Sequence, residues 1–82
     1  MTTLYVLDVP ENTPLAKVAA EDPDVTVGRI GPYFAITATG PIVICRRATG
    51  CRHAVWYSAV AGVPRGSAIT QHDKDALRIE PV

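Results

Sequence analysis

A chain of 82 residues with eight basic and eight acidic side chains has room for one hydrophobic core, and no net charge with which to hold a polyanion non-specifically. Its 48% apolar content is high for that length, and a domain of this size buries only about 60–65% of its unfolded surface. Some apolar surface must therefore face solvent, a partner or another copy of the chain, and a twofold dimer is the simplest expectation. No apolar stretch reaches the roughly 18 residues of a membrane helix, and the start, Met1-Thr2-Thr3-Leu4, lacks the basic region of a secretory signal. Two cysteines are too few for a disulfide scaffold, so a cytoplasmic protein is expected.

In chain order, Leu4 to Val9 is a continuous β-prone run stopped by Pro10, and predicts a first strand. Thr13-Pro14 starts a short helix: a hydroxyl cap, then proline where no amide donor is needed. Leu15, Val18 and Ala19 fall on one face of that helix, and Asp22-Pro23 ends it. Val25 to Ile30 and Tyr33 to Thr39 predict two strands, punctuated by Gly31-Pro32 and Gly40-Pro41. Ile42-Val43-Ile44-Cys45 is apolar on both faces, as in a central strand covered on each side.

Arg47 to Gly50 predicts a hairpin loop leading into a strand over Arg52 to Val60. The alanines of that stretch and the trailing Gly62 also fit a helix with a glycine cap. A loop over Gly62 to Gly66 returns into a strand at Ser67 to Gln71. A polar turn over His72 to Ala76 then precedes a last strand at Leu77 to Glu80. The expected fold is one α+β domain spanning residues 1–82, an antiparallel β-meander of about 5–6 strands with one short N-terminal helix on one face.

Charge is unevenly spread. No Asp or Glu occurs from Val25 to His72, while Arg29, Arg46, Arg47, Arg52 and Arg65 all lie there. A local field of this kind, not the total, decides which partners are attracted. With residues 52–60 as a strand, Arg52 and Trp56 share a face. They would offer a guanidinium fork and an aromatic surface to an anionic ligand. Arg46 and Arg47 flank the same turn. On the opposite face His53 and Tyr57 could serve acid–base chemistry.

Cys51, beside Arg52 and near His53, is the better candidate for a nucleophilic thiol, with Cys45 buried in its apolar run. Cys45, Cys51, His53 and His72 include zinc-ligand types, but their spacing matches no compact zinc motif, so neither metal nor cofactor is expected. The segment Gly28-Arg29-Ile30-Gly31-Pro32-Tyr33 resembles a short element of the C-terminal repeats of bacterial type IA topoisomerases. That resemblance implies a strand–turn–strand displaying Arg29 and Tyr33, and assigns no residue a role.

The leading expectation is a small, self-associating accessory subunit. Arg46, Arg47, Arg52 and Trp56 would contact an anionic small molecule or the acidic face of a protein partner. One alternative is a small oligomeric isomerase, lyase or hydrolase using His53 or Tyr57. Another is a nucleic-acid-binding β-surface, disfavoured by zero net charge and 6% aromatic content.

Overall fold

Alternation along the first strand decides where the core lies. The computed structural model describes residues 1–82. In it β1 (Thr2–Leu7) turns Thr2, Leu4 and Val6 to the inside, all fully buried. The chain continues through a 3₁₀ turn at Pro10–Asn12 into helix α1 (Thr13–Ala20), then β2 (Val25–Ile30), β3 (Tyr33–Ala38) and β4 (Ile42–Cys45). Two very short helices follow, α2 (Arg46–Thr49) and α3 (His53–Ser58), and then β5 (Val60–Gly62), β6 (Ser67–His72) and β7 (Ala76–Pro81).

The fold is α+β with seven strands in two antiparallel sheets, ordered β2-β3-β1-β5 and β4-β7-β6. The α+β class and the antiparallel pairing are as expected; the strands divide between two sheets, with β1 lying between β3 and β5. Both sheets feed the same core of 14 buried residues, which includes Leu4, Ile36, Ile42, Ile44, Trp56 and Leu77. On α1 the buried residues are Leu15, Ala16 and Ala19. Burying each large apolar side chain contributes about 1.5–3 kcal/mol relative to leaving it exposed. An eight-residue helix is marginal alone, so α1 owes its stability to this packing. Asn12 precedes α1 but leaves it uncapped; its Nδ2 donates to the Leu7 carbonyl at 2.9 Å and ties down the end of β1.

The termini and the β2–β3 hairpin follow the sequence pattern closely; the middle does not. β4 is not a central strand but an edge strand paired only with β7. Ile42 and Ile44 are fully buried, while Val43 is 53% exposed and Cys45 is exposed. A run apolar at every position can thus still have one open face. Residues 46–49 form a helical turn instead of a hairpin loop. Gly50 ends it at φ 68°, its N–H bonded to the Arg46 carbonyl at 3.2 Å. That left-handed backbone favours glycine.

The strand expected over Arg52 to Val60 is replaced by α3, with Ala59 as its C-terminal cap. Trp56 supplies the reason. In a strand, Trp56 and Ala59 would point to opposite faces. In a helix they share one side, and here both are buried to within 1%. The buried indole Nε1 donates to the Asp73 carbonyl at 2.7 Å, so burying the tryptophan leaves no polar atom unpaired.

Candidate functional site

The β6–β7 connection builds one wall of the site. Asp73 Oδ1 accepts the backbone N–H groups of Asp75 at 2.9 Å and Ala76 at 3.0 Å, and Oδ2 accepts Gln71 Nε2 at 3.0 Å. The Asp75 N–H, then the Ala76 N–H and Gln71, hold the Asp73 carboxyl below its ordinary pKa, because each bond favours the charged form. This rigid turn receives the start of α2. Arg46 N–H donates to the Asp75 carbonyl at 3.0 Å, and the Arg46 guanidinium donates to the Lys74 carbonyl at 3.3 Å. Inside α2, Thr49 Oγ1 donates to the Arg46 carbonyl at 2.6 Å and accepts the Cys51 N–H at 3.1 Å, which fixes the exit of the turn.

Between these walls lies an open cleft of about 590 Å³, lined by Cys45, Arg46, Arg47, Gly50, Cys51, Lys74 and Asp75. Three cationic side chains face it against one carboxylate. Arg46, Arg47, Arg52 and Lys74 make no ion pair within the chain. The two ion pairs present are Arg29–Asp8 at 3.0 Å and Arg78–Glu80 at 3.5 Å, both elsewhere. The Arg46 guanidinium, held by the Lys74 carbonyl, and the unpaired Arg47 can receive carboxylate or phosphate oxygens in a planar fork.

Among the sequence-derived candidates, Arg46 and Arg47 come together in the cleft. Arg52 precedes α3 in extended backbone, exposed, and does not line the cleft. Trp56 is fully buried and shows no ring face to solvent. With 53–58 helical, the pairing of Arg52 with Trp56 across a strand face does not form. His53 and Tyr57 still approach one another, as neighbours four apart on a helix, with ring centroids 4.7 Å apart.

The aromatic series continues from Tyr57 to His72 at 4.9 Å and from His72 to Trp56 at 5.8 Å. His72 Nε2 lies 3.3 Å from the Trp56 carbonyl. This series docks α3 on the end of β6. His53 and Tyr57 are exposed at its outer end and line neither the cleft beside α2 nor the depression at Tyr5, Ile30, Tyr33 and Ala61.

The two thiols exchange the places expected of them. Cys45 is exposed, and Cys51 is half-buried against the core. No group of three or more His, Cys, Asp or Glu side chains is arranged to hold a metal ion. Sequence reading missed Lys74. It enters the site through the pairing of Cys45 with Ala76 in the β4–β7 ladder, a contact across 31 positions with no local signal.

A second depression of about 350 Å³ is lined by Tyr5, Ile30, Tyr33 and Ala61 on the open face of the four-stranded sheet. Ile30 in its lining is 59% exposed, and Leu7, paired with Tyr33 and 40% exposed, extends its apolar character.

No family model and no curated protein matches the sequence, so the topoisomerase-like segment stands without further support. The fold does have a match. It is similar to a chain in the solved structure of a phenol hydroxylase–regulatory protein complex, with TM-score 0.76 and 16% identity, covering 96% of this chain and 95% of that one. At that identity the likeness is one of fold. No helix of the chain is long and apolar enough to cross a membrane.

Proposed function

We propose that this chain is a small accessory subunit of a larger protein assembly, without chemistry of its own. It would dock through Arg46, Arg47 and Lys74 onto an acidic face of its partner, with Arg52 at the margin. The observation that carries this reading is the gathering of those side chains around one open cleft with no carboxylate of the chain paired to them. Exposed charges left this way steer encounter with a surface of opposite sign more than they stabilise the fold. The fold likeness to a chain from an enzyme–regulatory protein complex, over almost the full length of both, supports a regulatory or accessory role. The exposed setting of His53 and Tyr57, outside the arginine-lined cleft, favours the accessory reading over an enzyme built on them.

A second reading is favoured by the size of the cleft, which falls within the range of small-molecule sites. In it, Arg46 and Arg47 hold a carboxylate or phosphate ligand. Titration of the wild-type chain with a glutamate-rich peptide and with inorganic phosphate separates the two. Peptide binding that weakens with salt and is lost in the Arg46→Ala/Arg47→Ala double variant supports docking. Saturable phosphate binding without peptide binding supports the small-molecule site. Peptide and phosphate binding both unchanged in the double variant would remove the cleft from either role.

A further inference from the structure

We propose that β2 is a docking edge for a second copy of this chain, the two β2 strands pairing antiparallel about a twofold axis perpendicular to the sheet. This goes beyond the accessory reading and uses a different surface. Each sheet has two edge strands: β2 and β5 in one, β4 and β6 in the other. Three of the four are blunted. β5 has three residues and a register shift against β1, β4 has four residues, and β6 carries a shift between Ile69 and Gln71. β2 alone is both long and regular, six residues paired one for one with β3. It contains no proline, no lysine and no bulge, and its one charged residue, Arg29, is drawn toward Asp8 and the Phe34 ring.

In an antiparallel ladder alternate residues turn their N–H and C=O groups to opposite sides. The side of β2 away from β3 therefore offers a row of unpaired backbone groups, beyond Val25, whose N–H closes on the Asp22 carbonyl at 3.0 Å. At Gly28 the strand is bare: a Cβ there would meet nothing within 4 Å, and the space lies open to an approaching backbone.

Charge selects a second copy as the occupant. The segment is polar along its axis, with Glu21, Asp22 and Asp24 before the strand and Arg29 near its end. Antiparallel self-pairing sets each acidic end beside the partner's Arg29, whereas parallel pairing would align like charges. Arg29 is able to respond. Its Nε is held by Asp8 at 3.0 Å and its guanidinium lies over the Phe34 ring, 5.4 Å from the centroid. Pairing would require it to swing from β3 toward the open edge, which its 69% exposed side chain allows. The axis also leaves α1 on the covered face of both copies and extends the apolar patch of Tyr5, Ile30 and Tyr33 on the other. Its surface around Thr26 and Gly28 carries no ionisable group to repel a second copy.

Sedimentation velocity of the full chain across a wide concentration range tests this. A reversible dimer is expected, weakened by about tenfold or more in Gly28→Lys, a change that the open space at that position allows to fold. Arg29→Glu and Asp24→Arg should each weaken it several-fold, and the two together should restore it. In wild type, amide exchange over residues 25–30 should slow as concentration rises. A monomer at every concentration, a dimer indifferent to Gly28→Lys, single charge changes without rescue, or unaltered exchange in β2 on dimerisation would each overturn the proposal.

Discussion

The four-stranded sheet and the segment from Arg46 to Ser58 take their conformations from different sources. In β1, β2 and β3 a period of two is written into the chain, and the hairpin register follows from the Gly31-Pro32 turn without any shift. Between Arg46 and Ser58 two helices of four and six residues are too short to hold themselves together. They exist because Trp56 is buried and bonded to the Asp73 carbonyl, and because Gly50 reverses the chain. The first region presents an uncharged apolar face. The second, shaped from outside, displays the unpaired arginines. Charge that packing does not use is displayed where tertiary contacts, not local pattern, set the backbone.

Removing the anchor should break this contrast most strongly. Trp56→Ala is expected to cost about 3–5 kcal/mol by chemical denaturation. It should also flatten the chemical-shift dispersion of residues 46–58 before that of β2 and β3. Trp56→Phe keeps most of the volume and loses the bond to Asp73, and should cost about 1–3 kcal/mol. Equal loss of order in the sheet and in α3 would show that the two regions are not separable.

A smaller effect is expected at the reversal. Gly50→Ala forces a side chain into left-handed backbone and should cost about 1–2 kcal/mol in thermal or denaturant melts. Gly28→Ala, in strand backbone with open space around it, should be neutral or mildly stabilising. A Gly50→Ala variant as stable as wild type would remove the account of how α2 ends.

The smallest effect is in acid. The folded-state pKa of Asp73 is depressed, so its contribution to stability is complete above the ordinary aspartate pKa and disappears as pH falls through the lowered value. Asp73→Ala should therefore be less stable than wild type near neutrality, with the two denaturation curves converging in strong acid. The group is exposed, so the gap should be small. A constant gap down to the acid limit would assign Asp73 a role independent of its charge.

Much of the fold was legible. β2 and β4 begin and end where the alternation and the Gly-Pro pairs predict, and α1 starts at the Thr13-Pro14 signal. Val43 and Cys45 were misread because a four-residue apolar run looks alike in a central and an edge strand, and only its neighbours decide. Residues 53–58 read as a strand, with a helix as the alternative, because His, Ala, Val, Trp and Tyr suit a strand locally; the alanines, Gly62 and the i, i+3 pair of Trp56 and Ala59 were the helical signs. At the site, Arg46 and Arg47 stood out by their acid-free surroundings, whereas Lys74 depended on a strand pairing that has no trace in the local sequence.

The central claim is that the cleft between α2 and the β6–β7 turn receives acidic groups. Mapping backbone amide shifts of the wild-type chain during titration with a glutamate-rich peptide addresses it directly. The account predicts saturating shifts over Cys45 to Arg52 and at Lys74 and Asp75, diminished at high salt, with β2 and β3 unmoved. Shifts confined to β2 and β3, or scattered without saturation, would contradict it.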